Sequence, residues 1–287
     1  MSSNEYRYEI QRTYRYLRLA LIMLVALLGA AVGLQVVTDG GDLQQSISAY
    51  YYTPARSVFV ASLCAIGACM IVHRGRSDLE DVLLNSSGFL AFFVAFVPTR
   101  PEPECPGAGV PLDVVEAITN NTRAILVTSL VAFGVAMFLV PREERSVDTR
   151  SSKLALMASV AVYLALAMFF LVWPDTFVCY GHNTAAIALF VGVVGVVGVN
   201  GVALARKTAA GGKPWYLRAL NRYGIGFLVM LGSIVVVLLI GPVTQLVDQW
   251  VFWLEFVLIA QFASFWITQT AERWSEPEPV PLGLYPG

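Results

Sequence analysis

Glu255 is the one acidic or basic residue well inside an apolar stretch of this chain, in the run Trp250–Thr270. A charge in hydrocarbon costs about 2.5–3.5 kcal/mol on insertion scales, so the carboxyl must be protonated, paired with a cation or hydrogen-bonded. Its best candidate partner is Arg56. That residue closes the segment Ser46-Ile47-Ser48-Ala49-Tyr50-Tyr51-Tyr52-Thr53-Pro54-Ala55-Arg56, dense in hydroxyls and phenols. Tyr joins an apolar body to a polar tip, and Arg offers a planar fork that matches a carboxylate or phosphate. Two readings stay open. Ser46, Ser48, Tyr50, Tyr51, Tyr52 and Arg56 form an outward pocket for a lipid headgroup or small amphiphile, with Glu255 as its floor. Alternatively they form a Tyr-rich interfacial loop sealed by a structural Arg56–Glu255 ion pair.

A second polar set comprises Asp81 and Asn85, four apart, with Asn200 and Gln261 on later runs. These residues serve either as interhelical hydrogen-bonding groups, worth about 0.6 kcal/mol each, or as stations on a proton or ion path that would have to meet Glu255. Catalytic signatures are scarce. His73 and His182 are the only histidines and fall on opposite faces; His182 could pair with Asp175 or be an exposed loop residue. A zinc site takes three or four clustered ligands, and no HExxH pair, Walker loop or nucleophile elbow occurs. No catalytic residue, metal or cofactor is expected. Cys64 and Cys69 lie in an apolar run, whereas Cys105 and Cys179 lie in two outer loops, where an oxidising compartment permits a Cys105–Cys179 disulfide.

The elements that must carry these groups are apolar stretches near Leu17–Val37, Ser57–His73, Val82–Pro98, Arg123–Val140, Leu154–Trp173, Thr184–Ala205, Tyr223–Gly241 and Trp250–Thr270. Each approaches the roughly 20 residues that cross a bilayer as a helix. Threaded alternately, they leave 16 of the 19 Lys and Arg on one face, with only Arg56, Arg100 and Arg123 opposite. Cytoplasmic connections are enriched in Lys and Arg, so both termini are expected inside. The chain reads as an all-α polytopic bundle of about eight transmembrane helices in a plasma (inner) membrane. Residues 1–275 form one domain and 276–287 a disordered cytoplasmic tail. A mean hydropathy of +0.66 and 14% charged residues exclude an ordinary soluble domain, and a net charge of −1 gives nucleic acid no cationic face. Membrane lipids are the expected partners.

Local signals mark the ends. Ser77-Asp78-Leu79-Glu80 has capping-box spacing for the third helix. Leu112–Ile118, in the outer segment Thr99–Asn121, reads as a short interfacial helix. Trp173, Trp250 and Trp253 fall near one interface and Trp215, Trp266 and Trp274 near the other, as an aromatic belt requires. Gly192, Gly195, Gly198 and Gly201 let a neighbouring helix approach closely, within the bundle or through a second copy or membrane partner on the Gly192–Gly201 face.

The segment Ser46–Val60, with Glu80–Pro98 (EDVLLNSSGFLAFFVAFVP) and Phe252–Trp266, resembles uncharacterised bacterial multi-pass membrane proteins carrying a Ser-x-Ser-x-Tyr-Tyr-Tyr outer loop. The layout is more distantly similar to the DRAM/Frag1 and alkaline-ceramidase-like membrane families. The latter resemblance implies a zinc-bound lipid amidase, but the chain lacks the late-helix histidine pair such enzymes use, so that activity is not carried over. The leading expectation is non-enzymatic binding or translocation of a lipid or small amphiphile. Alternatives are a proton- or ion-conducting protein, a membrane-embedded lipid hydrolase and an accessory subunit of a membrane complex.

Overall fold

The computed structural model describes residues 3–99, 112–139, 150–209, 212, 214–244 and 249–274, among which there is no strand. Helix α1 (Ser3–Thr38) leads through a 3-10 turn, η1 (Ser48–Tyr52), to α2 (Arg56–Val72) and α3 (Asp78–Phe96). Next come α4 (Leu112–Leu139), α5 (Arg150–Val172), α6 (Pro174–Lys207), the short α7 (Trp215–Ala219), α8 (Arg222–Thr244) and α9 (Trp250–Arg273). Five of the described helices are long and apolar enough to cross a membrane: Gln11–Thr38, Asp78–Phe96, Pro174–Lys207, Arg222–Ile240 and Trp250–Arg273. Arg56–Val72 and Met157–Val172 are shorter apolar helices.

Local chemistry sets the element ends. Ser77 caps α3, its hydroxyl accepting the Glu80 N–H at 3.2 Å, as the capping-box spacing requires. The Glu80 carboxylate reaches back one residue further, to the Arg76 N–H at 2.7 Å. Gly40 and Gly41 take φ of 75° and 101°, and the Gly41 N–H closes on the Val36 carbonyl at 2.9 Å, turning the chain from α1 toward η1. Two stretches expected between spans belong to long helices. Leu112–Ile118 is not a separate interfacial helix but the opening of α4. Pro174 takes the first position of α6, where its missing donor is tolerated, so the stretch holding Cys179 and His182 is the first part of a 34-residue helix rather than a loop.

Helices α1, α2, α3, α6, α8 and α9 close a ring, each packed on the next and α9 returning to α1; α4 and α5 lean on α3. Glycine sets the closest approaches. A Cβ on Gly88 would stand 2.5 Å from the Gly67 carbonyl, so only glycine permits that α2–α3 crossing. On α6, Gly192 and Gly195 receive Ser87 and Leu83 of α3, while Gly198 and Gly201 receive Phe227 and Gly224 of α8. A three-residue step falls short of a 3.6-residue turn, so the stripe drifts around the helix from one neighbour to the other. All four glycines of the Gly192–Gly201 stripe thus meet a neighbouring helix of the same chain. Outward faces remain apolar, with Phe138 93%, Val37 75% and Leu171 70% exposed. Such extended apolar surface suits hydrocarbon and not water.

Candidate functional site

Glu255 lies in the second turn of α9 and does not meet Arg56. Its carboxylate accepts two hydrogen bonds from Ser48, one from the backbone N–H and one from the hydroxyl, each 3.1 Å. Arg56 lies over the Tyr51 ring instead, its guanidinium carbon 4.1 Å from the centroid, and donates to the phenolic oxygen at 2.5 Å. The proposed Arg56–Glu255 pair is therefore replaced by two separate contacts. Arg56 begins α2 with an exposed side chain, while Glu255 is reached from above by the backbone of η1.

The remaining residues of that segment build a lid. The Ser46 hydroxyl accepts the Ala49 N–H at 3.0 Å, and the Phe252 N–H donates to the Gln45 carbonyl at 3.1 Å, tying the segment to the start of α9. Tyr50 is fully buried, 6.2 Å ring to ring from Phe252, with its phenolic oxygen accepting the Gln44 N–H at 3.4 Å. Burial pushes the Tyr50 phenol above its ordinary value, opposed by that hydrogen bond and assisted by the Asp39 charge. Tyr51 is buried, whereas Tyr52 is exposed and donates to the Thr99 carbonyl at 2.8 Å. Of the candidate ligand residues, Ser48 and Glu255 face inward, Ser46, Tyr50 and Tyr51 hold the lid together, and Tyr52 and Arg56 lie on its outer side.

Beneath the lid, inside the ring, is a cavity of about 70 Å³. Ser48 and Glu255 are its polar residues. Its wall is apolar, with Leu28 of α1, Leu63, Ile66 and Met70 of α2, Val193 of α6 and Phe262 of α9. From Phe59 to Met70 the α2 wall runs about 16 Å at 1.5 Å per residue. The site is thus a small apolar cavity with a hydrogen-bonded carboxylate in its lining.

The other polar residues do not assemble around it. Asp81 and Asn85, with Ser86, line a separate cleft beside Ser129 of α4 and Ser159 of α5. Asn200 donates to Glu80 at 2.8 Å, and Gln261 donates to Ser233 of α8 at 2.9 Å. His182 is a buried helical residue, not an exposed loop one; its Nδ1 lies 2.6 Å from the Val97 carbonyl, while Asp175 stays exposed. Cys64 and Cys69 are free thiols. Cys105 and the tail 276–287 lie outside the described residues, and with Cys105 the expected bond to Cys179.

The opposite end of the ring holds residues the sequence reading placed at interfaces. Arg18, Glu80 and Arg273 are all buried, so Glu255 is not alone inside. Trp266, expected in an aromatic belt, is 1% exposed and stands edge-on to His73 with ring centroids 4.8 Å apart. Glu272 pairs with Arg222 and accepts the Tyr223 hydroxyl. A sequence signal for this end existed: Trp266, Gln269, Thr270 and Arg273 share one helical face. Among the described residues, no three His, Cys, Asp or Glu side chains gather as metal ligands do. No protein-family model, no curated protein and no solved structure matches this chain.

Proposed function

We propose that the chain is an eight-span membrane protein of the bacterial plasma membrane, with both termini cytoplasmic, that binds or passes a lipid or small amphiphile. The eight-span reading is supported by eight described helices of 17 or more residues, one at each apolar stretch of the sequence, and by the one-sided distribution of Lys and Arg. The binding reading rests on one observation, the apolar cavity within the ring that ends at the Ser48–Glu255 contact. An alkyl chain would lie along Leu63, Ile66 and Val193. A hydroxyl or ammonium head would meet Glu255, exchanging its hydrogen bonds for those of Ser48. Tyr50 and Tyr51 would govern entry as parts of the lid, rather than contact the headgroup.

The test is photolabelling of the full chain in nanodiscs with diazirine-bearing alkyl probes that differ only in an ammonium, hydroxyl or carboxylate head. Labelling should map to α2 and α6 residues of the cavity, favour the ammonium head and fall about tenfold in Leu63→Trp, which fills the cavity. Glu255→Gln should abolish the head preference while leaving labelling of the cavity. Equal labelling of wild type and Leu63→Trp would reject the reading.

A further inference from the structure

We infer a second binding site, for an organic ammonium ion with an apolar body, in the cleft between α3, α4 and α5, whose lining joins Asp81 to the rings of Phe89, Phe133 and Tyr163. It stands independently of the cavity at Glu255, with which it shares no lining residue.

Helical register builds the cleft. On α3, Asp78, Asp81, Val82, Asn85, Ser86 and Phe89 stand at i, i+3, i+4, i+7, i+8 and i+11, a single helix face, and all of them line it. That stripe is about 16 Å long at 1.5 Å per residue. The two helices leaning on α3 each add a serine and, four residues later, a ring: Ser129 and Phe133 from α4, Ser159 and Tyr163 from α5. Tyr163 links the rings, its centroid 5.7 Å from that of Phe133 and 6.2 Å from that of Phe89. The space between them is about 650 Å³. Small-molecule sites run from roughly 300 to 1,000 Å³ and combine an apolar wall with a few placed polar groups.

Polar atoms at this cleft are left unmatched. His73, 2% exposed, lines it with both ring nitrogens lacking a hydrogen-bond partner, and the Ser86 hydroxyl lacks one as well. Buried polar groups are satisfied about nine times in ten. Lipid tails filling the space would leave these atoms unmatched, whereas a ligand with a polar head would not.

The sign of that head follows from the lining. Asp78 and Asp81 are its carboxylates, and Arg74, with an exposed side chain, is its one Lys or Arg among the described residues. Asp81 accepts the Gly75 N–H through one oxygen, and the Arg74 charge acts on it from the helix end, where it competes with a bound cation. Carboxylates only accept hydrogen bonds, and aromatic faces are negative, so both draw a positive group. An anion would be repelled by both. The serine hydroxyls and the Asn85 amide accept as well as donate, so they suit an N–H head. The ammonium therefore sits at Asp81, and the apolar body extends toward the three rings.

The experiment uses the purified full chain in nanodiscs and three probes alike except in the head: phenylbutylammonium, phenylbutanol and phenylbutyrate. Equilibrium dialysis against empty nanodiscs subtracts partitioning into lipid. The wild type should bind about one phenylbutylammonium per chain, saturably and about tenfold more tightly than phenylbutanol, with phenylbutyrate weakest. Asp81→Asn keeps an acceptor for the Gly75 N–H and should weaken ammonium binding about tenfold, to the level of the alcohol. Ser159→Trp fills the cleft from α5 and should abolish saturable binding of every probe, while Glu255→Gln should leave it unchanged. Ser129→Trp, which fills the cleft from α4, keeps the test decisive if either of the first two variants does not fold. Absence of saturable binding by the wild type, equal affinity for ammonium and alcohol, or binding that survives filling of the cleft overturns the proposal. So does loss of binding in Glu255→Gln, which would assign the probe to the other cavity.

Discussion

The two ends of the six-helix ring are closed by different kinds of contact. At the η1 end the partners are neighbours in sequence: Ser46 with Ala49, Thr53 with Tyr50, and Arg56 with Tyr51. Across to α9 reach the two Ser48–Glu255 hydrogen bonds, the Phe252–Gln45 backbone bond and the Tyr50–Phe252 ring contact. At the other end the groups come from positions 73, 80, 200 and 269, and His73 and Gln269 keep buried donors and acceptors unmatched. A lid made by short-range pairing satisfies itself and stays a lid. A polar cluster assembled from distant helices has geometry set by the apolar packing around it, which need not match every donor with an acceptor.

This contrast can be broken from either side. The largest effect is expected for Glu80→Leu, which strips the acceptor from the Asn200 amide and the Arg76 N–H in a buried setting. Two stranded donors should cost about 3 kcal/mol, read as a lower unfolding temperature in detergent or nanodiscs. A smaller loss, about 1 kcal/mol, is expected for Ser48→Ala, since the Glu255 carboxylate keeps the Ser48 backbone N–H. If Ser48→Ala proved as damaging as Glu80→Leu, the self-sufficiency of the η1 end would be refuted. The smallest effect concerns pH. The folded state raises the Tyr50 phenol above 10.0, so its neutral form is favoured by folding. That contribution is complete below about pH 10 and is lost as pH climbs through the folded value. Unfolding temperature should therefore decline in the alkaline range more steeply for the wild type than for Tyr50→Phe. Parallel curves would show that the lid tolerates an ionised phenol.

Much of the helical plan was legible because the apolar runs are long, five of the described helices being long and apolar enough to cross a membrane, where backbone groups must bond within their own segment. The α3 start was legible too, since a cap needs only Ser77 and Glu80, three residues apart. The extent of α6 was not. Pro174 reads as a stop after an apolar run, yet it is equally suited to begin a helix, and the choice depends on Phe177, Cys179 and His182 finding a buried place against α3 and α5. At the site, Ser48 and Glu255 were picked correctly as neighbours of one region. The Arg56 partnership failed because Tyr51, five residues away, offers that cation a ring face before the carboxylate of α9 can be reached. Trp266 and Arg273 resembled interfacial residues because composition near a helix end cannot distinguish a face turned to lipid from one turned to α1 and α2.

The amino-acid order by itself determined a helical, hydrocarbon-compatible chain, the start of α3, and a hydroxyl-rich turn between α1 and α2. These follow from properties of residues within a few turns of one another. Only the tertiary structure decided that six helices enclose a cavity, that Glu255 is held by Ser48, and that Trp266 stands edge-on to His73. Each of those depends on which face of one helix meets which face of another, and that is governed by close packing at positions such as Gly67 and Gly88 far from the groups they bring together.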